Sequence, residues 1–363
     1  MTDTASTGTA HERAGEAGSV TDESITVDTD SPWRSASPQD RVRRRRLLIG
    51  VLGLFLVVGV AFGFPTGREV ITAWVLLFLL AACAGDVRVW RRVVVKDWLP
   101  LIAVLFLYDL LRGSAELVGA RLADLPLLSS SATNPGETVR AHVTPMIRFD
   151  EWLFGGTVPT VSLQQRFHDP GVVHWWDAAA VPVYFSHFFV SLAVALVLWL
   201  VSYRLYRRFI WSLVALTAIT LATYAAFPAA PPWMAGLPAN DYLPEVARVA
   251  GDTLRAMGGA TVNSAVERGA AYSNRVAAMP SLHGAIPMLL LAFFWPLTRW
   301  VGRSLLALYV LAMALTLVYG GEHYVLDLLV GWLYAIGAVL LVQVLLRRRT
   351  KRADSQAPAR LGP

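Results

Sequence analysis

The sequence is poor in charge and has almost no cysteine. Only 16% of its 363 residues are charged, whereas 55% are hydrophobic, and its mean hydropathy is +0.49. These values exclude an ordinary soluble domain, in which about a quarter of the residues carry charge. The single cysteine, Cys83, lies inside an apolar run. No disulfide can therefore form within the chain, and we expect a buried thiol.

Long apolar runs are present instead. Crossing about 30 Å of hydrocarbon takes about 20 apolar residues, and continuous rather than alternating runs indicate helices. The sequence therefore predicts an all-α polytopic membrane protein. We place its eight spans at 47–64, 70–86, 98–117, 180–201, 209–227, 277–298, 304–321 and 324–346.

Basic residues are concentrated in short segments between alternate spans. Five arginines lie between Arg41 and Arg46, directly before the first run. Under the positive-inside rule this pattern predicts a plasma-membrane protein with both termini in the cytoplasm. It also places two long loops, 118–179 and 228–276, outside, where they either cover a site or pack on the spans. Because the basic residues lie where they would orient the protein in the membrane, the net charge of +6 does not indicate a nucleic-acid partner.

We divide the chain into four regions. Residues 1–46 are a cytoplasmic tail with an arginine-rich anchor. Its first 40 residues hold eight acidic and two basic side chains and few large apolar ones, so we expect disorder. Two extra transmembrane helices follow at 47–97, then a six-helix catalytic core at 98–346 and a cytoplasmic tail at 347–363.

Two histidine motifs each open a strongly apolar run. The first, AMPSLH, ends at His283, and the second, GGEHYVLD, carries His323 and Asp327. The spacing of four places His323 and Asp327 on one face of a helix. The predicted topology brings both histidines to the outer ends of their spans. Ionisable groups there are costly and indicate function, although a hydrogen-bonded packing role is the alternative.

These residue types predict phosphoryl transfer. A neutral imidazole is a competent nucleophile near neutral pH, and Asp327 can orient His323 and stabilise its positive charge after attack. His283 can protonate the leaving oxygen. Ser281, directly after Pro280, fits the first turn of a helix, where free N–H groups attract a phosphoryl anion.

The two motifs resemble the second and third signature motifs of the type 2 phosphatidic acid phosphatase superfamily. More narrowly, they resemble its inositol phosphorylceramide synthase-like branch, which also carries a proline-rich outer segment like residues 227–233. The resemblance covers about 100–346. It implies a six-helix core with two added N-terminal helices. It also implies a phosphohistidine on His323, assistance by Asp327, a leaving-group role for His283, and no metal or other cofactor.

The sequence departs from the superfamily at its cations. The phosphatases carry a lysine and an arginine in a first motif, but residues 224–233 hold no basic side chain here. They also carry an arginine at the position of Leu317. A phosphomonoester has nearly two charges and a diester has one, so the missing cations favour a diester. We therefore expect transfer of a head group, inositol phosphate in the first instance, from a phospholipid donor to a lipid or glycan acceptor. Hydrolysis of a lipid phosphate or polyprenyl pyrophosphate is the alternative, and a transporter or scaffold is the non-enzymatic one.

Other residues are candidates for binding the substrate. Arg275 is five residues before Pro280, and a solvated arginine is the alternative there. Asp109 and Arg112 lie near the outer end of a span, but their spacing also allows them to pair with each other. His187, inside span 180–201, is equally compatible with hydroxyl binding and with a core role. The remaining candidates are Ser281 and Tyr324, whereas we expect surface or packing roles for His142, His168 and His174.

Overall fold

The computed structural model describes residues 37–62, 68–103, 106, 125–128, 138–258 and 275–356. Within these residues the protein is mostly helical, which confirms the predicted class. It also has a short antiparallel sheet of β1 (Pro126–Leu128) and β2 (Thr138–Arg140), which the sequence did not predict. Residues 1–36 of the predicted tail lie outside the described residues, as do Asp109 and Arg112.

Three helices form the N-terminal part. They are α1 (Pro38–Phe62), α2 (Arg68–Ala82) and α3 (Val87–Val93), and a π-helical turn at Val94–Trp98 continues into helical residues 99–103. The ring of Phe55 on α1 meets that of Trp74 on α2 edge-on, with centroids 5.1 Å apart. Asp86 caps α3 by accepting hydrogen bonds from the first backbone N–H groups. Cys83 is buried, as expected. The predicted span 98–117 is described only in part.

Four short helices lie in the described parts of the segments predicted as outer loops. They are α4 (Thr144–Leu153), α5 (Pro159–Phe167), α8 (Pro232–Ala235) and α9 (Val249–Met257). The first three have proline in their first turn, a position where the missing N–H costs nothing. Each is too short to stand out as an apolar run. These segments therefore contain regular helices, and they supply side chains to the candidate active site.

Five long or apolar helices make the remaining bundle. They are α6 (Trp175–Val201), α7 (Tyr203–Ala226), α10 (Leu282–Phe294, with a 3-10 turn to Leu297), α11 (Trp300–Tyr319) and α12 (Val325–Gln356). Helices α6, α7, α11 and the 325–348 part of α12 are long and apolar enough to cross a membrane. Shorter apolar helices lie at 70–82 and 282–297. The arrangement of six plus two spans stays a prediction.

Helix α10 is the centre of this bundle and contacts α6, α7, α11 and α12. It begins at Leu282, rather than at 277 as predicted. The preceding residues are extended because Ala229 pairs with them, donating to the Val276 carbonyl and accepting from the Ala278 N–H, each at 2.9 Å. A Cβ on Gly331 of α12 would lie 2.6 Å from the Ser281 carbonyl oxygen. Glycine there allows the close approach that brings the two histidine motifs together.

Candidate active site

The start of α10 is fixed by Ser281. Its hydroxyl accepts a hydrogen bond from the Gly284 N–H at 3.1 Å, which caps the helix. Its own N–H donates to the backbone carbonyl of Asp327 at 2.9 Å. The first turn of α10 is therefore tied to the first turn of α12, and the position of His283 relative to His323 is set by backbone contacts.

The start of α12 is capped by a residue that lies far away in the sequence. The carboxylate of Asp150, on α4, accepts hydrogen bonds from the N–H groups of Val325 at 3.0 Å and Leu326 at 3.2 Å. Burial raises the pKa of Asp150 to about 6, and the two hydrogen bonds oppose that shift. The carboxylate satisfies N–H groups that a helix start leaves open. Sequence reasoning missed this residue because nothing local links it to a partner 175 positions away.

His323 is backed by a buried carboxylate. Its Nδ1 lies 3.4 Å from Oδ2 of Asp327, which is fully buried and also accepts the Tyr324 N–H at 2.9 Å. The turn before the histidine needs Gly321, whose φ is +75°. With Nδ1 turned toward Asp327, the proton on that nitrogen leaves the lone pair on Nε2.

His283 is held by rings rather than by a carboxylate. The imidazole of His187 stacks on it with centroids 4.0 Å apart, and the ring of Tyr184 lies at 5.1 Å. Phe188 meets it edge-on at 5.8 Å. Its Nε2 has no hydrogen-bond partner among the described residues. The rings of His283 and His323 are 6.0 Å apart, so the predicted convergence of the two motifs is present.

A partly buried ion pair lies beside the histidines. Nε of Arg248 donates to Glu322 at 2.8 Å, and its guanidinium is 5.0 Å from the Trp233 ring. Burial alone would lower the pKa of Arg248, but the Glu322 carboxylate outweighs it and the pKa is raised, so the arginine stays charged. Tyr184 also contributes to the raised pKa of Arg248. The sequence offered no signal for this arginine, because its partner is 74 positions away.

Comparison with known families decides the kind of enzyme. A family model described as the PAP2 superfamily matches residues 144–341, more than half of the chain. The chain belongs to the PAP2 superfamily. It is thus a phosphatase or phosphotransferase of the type 2 phosphatidic acid phosphatase superfamily. Both histidine motifs lie within the matched residues. No curated protein and no solved structure matches the chain.

A cavity of about 860 Å³ reaches this PAP2 site at Arg248, whereas His283 and His323 are not in its wall. Arg248 and Trp233 line it on one side, and the end of α5 lines it on the other. Arg275, predicted to bind an anion, is also in its wall. His168, for which we expected a surface or packing role, contributes to the lining, and its buried Nδ1 has no hydrogen-bond partner in the described part of the chain.

The remaining candidates of this PAP2 enzyme are placed as follows. Ser281 is buried and its hydroxyl serves the helix cap. Tyr324 is fully buried in an apolar cluster that includes Trp233 and Ala278, so its ring packs rather than lining the cavity. His187 is at the site, against His283. Among the residues that the structure describes, no group of three or more histidine, cysteine, aspartate or glutamate side chains is placed to hold a metal ion.

Proposed function

We propose that this PAP2 enzyme belongs to the inositol phosphorylceramide synthase-like branch. It transfers a phospho-head group, inositol phosphate in the first instance, from a phospholipid to a lipid or glycan acceptor. The observation that carries the proposal is the convergence of His283 and His323, with ring centroids 6.0 Å apart and Asp327 behind His323. Among the described residues, His323 has a carboxylate beside it and His283 has none, so the two histidines are suited to different tasks.

The first step forms a covalent intermediate on His323. Asp327 accepts a hydrogen bond from Nδ1–H, which keeps the lone pair on Nε2 and stabilises the positive ring after attack. Nε2 bonds to phosphorus while the bond to the diacylglycerol oxygen breaks. The protonated ring of His283 gives its proton to that oxygen. The products are diacylglycerol and a head-group phosphohistidine.

The second step releases the head group. Neutral His283 takes the proton of an acceptor hydroxyl, whose oxygen bonds to phosphorus as the phosphorus–nitrogen bond breaks. His323 is then free and His283 is protonated again, as at the start. Water in place of the acceptor would give hydrolysis by the same residues, which is the alternative activity.

The charge around the histidines supports a diester substrate. Leu317, at the position of the superfamily arginine, is fully buried in an apolar cluster with Met313 and Leu328. The positive charge of Arg248 is offset by Glu322. A doubly charged monoester would gain less here than in a site with unpaired cations.

The test uses phosphatidylinositol labelled in the inositol ring, given to membranes that contain the enzyme. Transfer predicts a second labelled lipid or glycan together with diacylglycerol, and neither product in membranes with His323→Ala. Labelled inositol phosphate without a second labelled lipid or glycan would reject transfer in favour of hydrolysis. Release of inorganic phosphate from lipid monoesters, with phosphatidylinositol untouched, would identify a lipid phosphatase.

The orientation has a separate test, because the proposal puts the site at the outer leaflet and both termini in the cytoplasm. Cys83 is buried, so it gives little background to a membrane-impermeant maleimide. Gln165, exposed in the cavity wall, and Arg299, exposed before α11, are suitable positions for added cysteines. On intact cells Gln165→Cys should be labelled and Arg299→Cys should not. The reverse pattern would place the site inside.

A further inference from the structure

We propose that Glu322 and Arg248 form a charge-balanced pair that sets the preference of the site for singly charged phosphodiesters over doubly charged monoesters. The inference rests on the proposed function and names two residues that determine its specificity. Glu322 belongs to the second histidine motif, but neither it nor Arg248 has a role in the two chemical steps proposed for His283, His323 and Asp327.

The position of Glu322 ties the pair to the nucleophile. Glu322 directly precedes His323 in the chain. Its two carboxylate oxygens accept from Nε of Arg248 at 2.8 Å and from a terminal nitrogen at 3.4 Å. The side chains are 11% and 25% exposed, respectively. This two-point contact fixes the carboxylate of the residue that directly precedes the histidine proposed to receive the phosphoryl group.

The position of Arg248 ties the pair to the second histidine. Tyr184, whose ring lies against His283 at 5.1 Å, is within electrostatic range of its guanidinium. Arg248 is also within electrostatic range of His283 and lines the cavity. A guanidinium has five N–H donors. Those that Glu322 does not use are available to a phosphoryl oxygen that enters from the cavity.

The charge balance gives the pair its selectivity. Arg248 attracts an anion, whereas Glu322 repels it, and both effects are strong because the pair is largely withdrawn from water. A diester meets the carboxylate with one negative charge. A monoester carries about −1.5 to −2 at neutral pH and meets it with nearly twice the repulsion. The arginine can still donate hydrogen bonds to either substrate, so the carboxylate is the discriminating group.

The same cavity contains a matched pair that lacks these contacts. Asp252 and Arg255 are joined by an ion pair on α9, and both side chains are about half exposed. Exposed pairs of this kind contribute little. Neither residue adjoins a histidine of the site in sequence. Asp252→Asn therefore removes a carboxylate from the cavity wall and serves as the control.

The experiment measures kcat and KM for a phosphatidylinositol donor and for a lipid monoester. Glu322→Gln keeps a hydrogen-bond acceptor for Arg248 but removes the charge. We expect the ratio of kcat/KM for monoester over diester to rise about tenfold, mainly through a lower KM for the monoester. Glu322→Asp, which keeps the charge, should stay near the wild-type ratio, and Asp252→Asn should change it less than about twofold.

Arg248 has a different expected phenotype. Arg248→Gln should lower kcat/KM for the diester about 100-fold, because the donors to the phosphoryl oxygens are lost, and Arg248→Lys should restore part of it. Equal changes for both substrates in Glu322→Gln would overturn the inference, since a purely structural pair has no reason to discriminate by charge. A wild-type enzyme without any diester turnover would instead overturn the proposed function.

A measurement on the unmodified enzyme covers the case in which Glu322→Gln does not fold. Dimethyl phosphate carries one charge and methyl phosphate nearly two, so they are compared as competitive inhibitors of the wild-type protein. The inference predicts that dimethyl phosphate inhibits at least as strongly as methyl phosphate. Stronger inhibition by methyl phosphate, by about tenfold or more, would contradict it.

Discussion

The two histidines of the site are held in opposite ways. His323 lies in the connection between α11 and α12, with a buried carboxylate behind it and an ion pair beside it. His283 lies in the first turn of α10, against the rings of His187 and Tyr184. A carboxylate selects one tautomer and stabilises a positive ring. A stack of rings fixes only the plane of the imidazole and leaves its nitrogens free to exchange a proton.

Each support suits one half of the reaction. The residue that becomes covalently bound has to carry positive charge, so it needs an anion nearby. The residue that gives and takes a proton needs neutral and protonated states of similar stability. A carboxylate partner would favour the protonated, charged state. The predictions below test whether this division holds.

The largest effect is expected at the carboxylate-backed histidine. His323→Ala removes the nucleophile, so turnover should fall by more than about 10⁴-fold and the acid-labile phosphoenzyme should disappear. Labelled head group bound to the protein and labelled product report the two quantities. The control is His174→Asn, which changes an imidazole on the connection before α6, outside the site. A phosphoenzyme that survives in His323→Ala would refute the assignment.

A smaller loss is expected at the stacked histidine. His283→Ala removes a general acid, which is worth about 10²–10⁴ in rate. The loss should depend on the leaving group, because a nitrophenyl group departs without a proton whereas diacylglycerol needs one. Turnover of both esters by the wild type and the variant measures the difference. An equal loss for both esters would show that His283 does not protonate the leaving oxygen.

A modest effect is expected where one ring supports another. His187→Phe keeps an aromatic ring against His283 and should lower turnover by only about threefold, whereas His187→Ala should lower it about tenfold, because the stack is then lost. Turnover of the two variants separates the two interpretations of this residue. If His187 binds a substrate hydroxyl, the phenylalanine variant should lose as much activity as the alanine variant, and the stacking role would be rejected.

The smallest change in turnover is expected at Asp150, whose effect is on stability. Its pKa is about 6 in the folded protein and 3.8 in the reference state. A raised folded pKa contributes stability that is fully present below pH 3.8 and is lost as the pH rises through 6. The free energy of unfolding should therefore fall by on the order of 2–3 kcal/mol between these values, and Asp150→Asn should remove that slope. Unfolding in detergent at several pH values measures it. Parallel curves for wild type and variant would contradict the prediction.

Most of the features that could be predicted followed from local patterns in the sequence. The apolar runs marked the helices at 175–201, 203–226, 300–319 and 325–348 to within about six residues at either end, because a membrane span is a property of consecutive side chains. The spacing of His323 and Asp327 placed them on one face without knowledge of the fold. The family also follows from short motifs. The role of Ser281 as a helix cap was visible in the residue before an apolar run.

Contacts between distant segments could not be predicted. Asp150 lies on α4, and Arg248 lies just before α9. Both belong to segments interpreted as outer loops, because helices of about ten residues leave no clear apolar run. The contact of His187 with His283 could not be predicted, because it depends on the packing of α6 against α10. The start of α10 was placed at 277 rather than 282 because the pairing of Ala229 with the preceding segment is invisible in the sequence.

Consecutive or evenly spaced positions were enough to identify the helical membrane class, the family, and the three residues on which the chemistry is proposed to depend. The groups around those residues became known from the fold: the rings at His283, the carboxylate at the start of α12, and the ion pair beside His323. Hydrogen bonds, ring stacking and burial depend on distances between chain segments, and helix packing rather than sequence order sets those distances.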